Sequence, residues 1–152
     1  MGVLEHSVWI QAKPEEVWRA YVDLSRISEW QTGLPVIEDV SGPGDAPGTT
    51  YMSRRGPGVA RTTVIEADRP RRLWTRTEAY FGLQFDVVSR LEADAGGTRL
   101  DVRAETHWPR GLGLLGKLVE LAVLSRHEGE KELANLKALV ERETDRRGAR
   151  PK

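Results

Sequence analysis

Between Leu83 and Trp108 two segments of the chain alternate clearly, and after Pro109 the period changes. Leu83, Phe85, Val87, Ser89 and Leu91 fall on one side of an extended strand, and Leu100, Val102, Ala104, Thr106 and Trp108 on one side of another. Asp86, Arg90, Arg99, Asp101, Arg103 and Glu105 take the opposite sides. Period-two alternation of this kind describes antiparallel strands with one covered and one wet face. From about Leu112 to Glu143, Leu118, Leu121, Ala122, Ser125, Gly129, Leu133, Leu136, Leu139 and Val140 instead fall within roughly 60° of one line on a helix. A helix of that length, rising about 1.5 Å per residue, crosses a small sheet and can cover its apolar face. The two patterns predict an α+β fold in which a curved antiparallel sheet of about six or seven strands meets a long C-terminal helix.

The rest of the chain fits that frame. Val3 to Ile10 reads as a strand with Leu4, His6, Val8 and Ile10 on one face. Pro14, followed by Glu15 and Glu16, opens a helix, because proline at the first helical position loses nothing and acids suit the positive dipole end. Val17, Trp18, Tyr21 and Leu24 form its apolar side, and a second short helix from Ser25 to Trp30 ends at Gly33 and Pro35. From Val36 to His107, strands are separated by Ser41-Gly42-Pro43-Gly44, Ala46-Pro47-Gly48, Gly56-Pro57-Gly58, Asp68-Arg69-Pro70 and Asp94-Ala95-Gly96-Gly97.

Length and composition narrow the functions open to such a fold. The 152 residues suffice for one domain, expected over residues 3–144, with a disordered basic tail over 145–152. The 23 basic and 23 acidic residues balance, so no overall field draws nucleic acid. The absence of cysteine removes disulfides, thiolate catalysis and thiolate metal sites. Met1 to His6 lacks the basic and apolar stretches of a secretory signal, and a cytoplasmic protein is expected. Leu112 to Leu124 is the most apolar segment. It carries Lys117 and Glu120 and falls short of the ~20 apolar residues that cross a bilayer, so no integral membrane segment is expected.

The order of elements resembles the helix-grip fold of the SRPBCC superfamily, which includes StAR-related lipid-transfer domains, plant pollen-allergen-like proteins and bacterial polyketide cyclase/dehydrase-like proteins. The fragments that carry the resemblance are Ile10 to Trp18, Asp23 to Trp30, Pro47-Gly48-Thr49-Thr50-Tyr51, Glu66 to Leu73, Gly96-Gly97-Thr98-Arg99-Leu100 and Leu133 to Glu141. They mark turns, caps and core positions, so the fold transfers better than any activity. The resemblance implies a cavity between sheet and final helix that accepts lipids, polyketides or other hydrophobic molecules. No cofactor is expected.

Candidate ligand contacts follow from the inward faces. Trp30, Tyr51, Phe85 and Trp108 could form an aromatic cage, with Val87, Val102 and Leu121 completing the apolar wall, and ordinary core packing explains the same residues equally well. Ser125 and Gly129 interrupt the leucine stripe, leaving little side-chain volume in mid-helix and room for a ligand beneath. The three glycines of Gly111 to Gly116 make an easily deformed helix start, either a gate beside Trp108 or a loosely packed end. Among the histidines only His6 faces inward, either toward ligand or as a satisfied core residue; His107 and His127 read as solvated, and no pair has metal-ligand spacing. Arg54 and Arg55, beside Gly56-Pro57-Gly58, either bind a ligand carboxylate or enolate or stand in solvent at a hairpin tip. Glu132, at the edge of the helical stripe, is the carboxylate placed for acid/base work in a dry pocket, with reaching out to water the favoured reading. Trp9 points to the opposite face from Ile10, as a dimer or membrane contact.

No nucleophile elbow surrounds any serine. The first reading is therefore a module that binds or carries a hydrophobic small molecule. A cyclase, aromatase or dehydratase, in which Arg54 or His6 polarises a carbonyl, is the alternative. A partner-binding protein using Trp9 and the tail is a third.

Overall fold

The computed structural model describes residues 3–32, 35–55, 58–79, 82–107 and 126–149. Strand β1, Val3–Ile10, leads to helix α1, Pro14–Tyr21, and a 3₁₀ helix, Leu24–Glu29. Pro14 sits at the start of α1 with Glu15 and Glu16 in the first turn and Arg19 in the last, the charge order the helix dipole favours. Asp23 caps the 3₁₀ helix by accepting the Ser25 N–H at 3.1 Å and its hydroxyl at 2.6 Å. Strands β2, Val36–Glu38, β3, Thr50–Arg55, β4, Gly58–Asp68, β5, Arg72–Glu78, β6, Gln84–Asp94, and β7, Gly97–His107, follow, and helix α2, Arg126–Ala149, comes last.

The seven strands form one antiparallel sheet in the order β1-β7-β6-β5-β4-β3-β2, so the first strand closes against the last. Together with the helices this is the helix-grip arrangement expected. Register decides what each row of the concave face displays. Thr62 stands opposite both Tyr51 and Thr77, and Thr77 opposite Phe85. One row on, Thr75 faces Val87, Val87 faces Ala104, and Ala104 faces Leu4. The outer face carries ion pairs between neighbouring strands, among them Arg76–Asp86 at 2.9 Å and Arg103–Glu5 at 2.8 Å. Such exposed pairs add little stability, but they keep that face wet. His107 is on the same outer face, with Nε2 4.0 Å from Asp86.

The core occupies only part of the concave side. Leu133, Leu136, Leu139 and Val140 of α2 pack with Ile10, Leu91 and Leu100 of the sheet and Val17 and Trp18 of α1. Each such side chain, fully buried, contributes about 1.5–3 kcal/mol. The expected stripe is thus real over the described part of the helix; its expected portion from 112 to 125 lies outside the described residues. The helix also continues beyond Glu143 to Ala149, so residues 145–149, expected in a disordered tail, are helical. Arg146 and Arg147 in the last turn suit the negative end of the dipole there. Arg26 pairs with Glu143, tying the 3₁₀ helix to α2, and the guanidinium holds that carboxyl below the usual range.

Trp9 turns outward as expected, but it is built into its own chain. Its indole N–H donates to the Asp94 carbonyl at 2.9 Å, and the Lys137 ammonium stands 5.2 Å over the ring while donating to the Trp9 carbonyl at 2.8 Å. A Cβ on Gly97 would lie 2.6 Å from the ring, so only glycine permits this packing.

Candidate functional site

The leucines of α2 cover one part of the concave face, and over the remainder several inward residues of β3 to β5 are small. Ser53, Ala60, Thr62, Thr75 and Thr77 leave a cavity of about 640 Å³. Its floor is Thr62, Leu73, Thr75, Thr77, Phe85 and Val87; Tyr51 and Ile37 stand at one side, and Tyr21, Ile27 and Trp30 form the roof. The first described turns of α2 reach it through Glu128 and Glu132. No arginine, lysine or histidine lines it among the described residues.

Four candidates from the sequence meet here: Trp30, Tyr51, Phe85 and Val87 all line the cavity. The others are placed differently. Val102 packs against the core cluster, and Ala104, two residues on, reaches the cavity in its place. Gly129 does not leave room for a ligand, because His6 fills the space: a Cβ there would meet His6 Nε2 and lie 2.8 Å from its Cδ2. His6 Nε2 is buried and makes no hydrogen bond among the described residues. Arg54 is exposed and bonds Glu38 at 3.3 Å, since alternation on β3 sends Tyr51 and Ser53 inward and Arg54 outward. The two groups expected to polarise a carbonyl, Arg54 and His6, therefore both lie off the cavity. Trp108, Leu121, Ser125 and the Gly111 to Gly116 segment lie outside the described residues.

The polar atoms of the cavity are chiefly hydroxyls. Tyr21 Oη lies 2.6 Å from Ser89 Oγ, and its ring stacks on Trp30 at 5.6 Å between centroids. Burial pushes the Tyr21 phenol up to about 12; the Ser89 hydroxyl partly offsets this, and nearby Tyr51 and Glu132 add to it. Tyr51 is raised as well, again by burial and against the effect of Thr62. Both phenols are thus neutral hydrogen-bonding groups at ordinary pH. Thr62 and Thr77 share a hydrogen bond of 2.8 Å across β4 and β5. Glu132 does not simply reach out to water: it accepts the Thr32 N–H at 3.2 Å and its hydroxyl at 2.9 Å. With Asn135 donating to the Trp30 carbonyl at 3.1 Å, it fastens the end of the 3₁₀ segment to α2. Among the described residues no group of three or more His, Asp or Glu is arranged to hold a metal ion.

Tyr21, Thr62, Thr75 and Thr77 were not candidates from the sequence. Thr75 and Thr77 do alternate with Trp74 and Arg76, but a threonine fits either face of a strand, so the spacing alone leaves the inward side undecided. Tyr21 reads as helix core; its contacts with Ser89 of β6, distant in sequence, and with Trp30 place it at the cavity.

The family described as polyketide cyclase/dehydrase and lipid transport matches residues 1–141. No curated protein matches the chain. Among solved structures, MLL2253 from Mesorhizobium loti superposes with a TM-score of 0.72 at 19% identity, covering 93% of this chain and 98% of that one. Ara h 8.0201 gives 0.69 at 19% identity over 91% and 97%. DynU16, from the dynemicin biosynthetic locus, gives 0.66 at 21% identity over 91% of this chain; the chain spans 47% of DynU16's length. At these identities the likeness is one of fold.

Proposed function

The chain belongs to the polyketide cyclase/dehydrase and lipid transport family, and from that premise we propose that it binds or carries a hydrophobic small molecule, lipid-like or polyketide-like, in the cavity beneath α1 and the 3₁₀ helix. The observation that carries this is the cavity itself. Its ~640 Å³ lies within the roughly 300–1,000 Å³ usual for small-molecule sites. Aromatic and aliphatic side chains make up much of its lining, with hydroxyls, Gln31 and the carboxylates of Glu128 and Glu132 among them, so apolar burial at about 25 cal/mol per Å² is the main source of affinity. We assign this role to residues 3–144 as one ligand-binding unit and place it in the cytoplasm. No helix among the described residues is long and apolar enough to cross a membrane.

Fluorescence titration with N-phenyl-1-naphthylamine, a neutral apolar dye, tests the reading, alongside native mass spectrometry of the purified chain. Saturable one-to-one dye binding, reversed by whatever molecule co-purifies, is expected. Absence of any saturable binding would refute it.

A second reading, cyclase, aromatase or dehydratase chemistry in the same cavity, is favoured by the family's description and by the neutral phenol Tyr21 on the cavity roof. Loss of one water from a poly-β-keto thioester, detected by mass spectrometry and dependent on the protein, would select it over carriage.

A further inference from the structure

Tyr21 and Ser89 each bring one hydroxyl hydrogen, and they share a single hydrogen bond. Neither side chain makes another among the described residues. Among the described residues one hydrogen is therefore left over, and burial decides whose it is. Were Tyr21 the donor, the spare hydrogen would belong to Ser89, a side chain only 1% exposed, where an unsatisfied donor is costly. With Ser89 donating to the phenol oxygen, the spare hydrogen is phenolic, on a residue that lines the cavity. Stacking on Trp30 and the bond from Ser89 leave the ring little freedom, so this donor is held in place before any ligand arrives. Trp30 brings a second one: it is 6% exposed and its indole N–H has no partner among the described residues. Among the described residues neither the phenolic hydrogen of Tyr21 nor the indole hydrogen of Trp30 has an acceptor, and both side chains belong to the cavity lining.

We propose that Tyr21 is a specificity-determining residue that donates its phenolic hydrogen to an oxygen of the bound molecule, so that the cavity prefers an apolar compound carrying a carbonyl beside α1 over a pure hydrocarbon. The proposal rests on the reading of the cavity as a ligand site. Ser89 acts through Tyr21, orienting the phenol. Because the phenol stays protonated through the neutral range, the preference is independent of pH there.

The test is displacement of N-phenyl-1-naphthylamine by two neutral probes of similar bulk, 2-acetylnaphthalene and 2-isopropylnaphthalene. In the wild type and in Tyr21→Phe, which keeps the stacked ring, the two affinities give a ratio free of their different solubilities. Tyr21→Phe is expected to weaken the ketone about tenfold and to leave the hydrocarbon unchanged. Since that change strands the Ser89 hydroxyl, Tyr21→Phe/Ser89→Ala is measured too, with the same loss expected. An unchanged ketone-to-hydrocarbon ratio in both variants overturns the role of Tyr21 while leaving the cavity as a binding site. Failure of the wild type to bind the dye or either probe overturns the binding site itself.

Discussion

Replacing Gly129 by alanine separates a packing role for this glycine from a ligand-binding one. On an isolated helix the change stabilises by roughly 1 kcal/mol, because alanine has less backbone entropy to lose. Here the new methyl would meet His6 Nε2 and stand 2.8 Å from Cδ2 and 3.3 Å from Cε1. Carbon contacts settle near 3.5–4.0 Å, so the imidazole must yield by something on the order of 1 Å. It is held on β1 opposite Val102, which itself packs against the core, and overpacking of this kind costs about 1–3 kcal/mol. The expected net effect in the wild type is a destabilisation of about 1 kcal/mol. In a His6→Ala background the obstacle is gone, and Gly129→Ala should stabilise by about 1 kcal/mol. Urea unfolding of the four proteins, compared at constant m-value, gives a coupling of about 2 kcal/mol. Equal stabilisation in both backgrounds would show that His6 does not occupy the space at Gly129. Dye affinity should be the same in all four, because neither residue lines the cavity.

Two further outcomes follow from the site. Thr75→Trp adds bulk to the cavity floor and should weaken N-phenyl-1-naphthylamine binding at least about tenfold with the far-ultraviolet spectrum intact; undiminished affinity would place the dye elsewhere. Burial lifts Tyr21 from an ordinary 10 to about 12, so the unfolded chain ionises first; the resulting stability is complete below pH 10 and is lost as pH rises through 12, up to roughly 3 kcal/mol. Urea midpoints of Tyr21→Phe should fall less steeply than wild type between those pH values, and parallel curves would contradict the burial of the phenol.

Sequence reasoning picked out Trp30, Tyr51 and Phe85 of the cavity lining and not its threonines or Tyr21. Phe85 and Val87 were legible because alternation with Asp86 and Arg90 assigns faces once one side is known to be covered. The same rule could have turned Arg54 outward, yet its neighbours Ser53 and Arg55 carry no apolar contrast, and a hairpin-tip arginine looks like an anion site from either side. Gly129 was read as absent volume. A missing side chain opens a void only if nothing from across the interface enters it, and His6 lies 123 positions away in the chain. Glu132 was placed correctly at the edge of the helical stripe, but its partner Thr32 belongs to a different segment and has no local signature.

What the sequence determined by itself is the architecture: local periodicity, proline and glycine punctuation and the helical stripe are properties of neighbouring residues and need no knowledge of the rest of the chain. What only the tertiary structure decided is where the filled core ends and the cavity begins. That boundary depends on which distant side chains meet, leucines of α2 over β1 and β7, His6 against Gly129, small hydroxyls under Tyr21. Volume and hydrogen-bond pairing are properties of such meetings, and a linear pattern does not contain them.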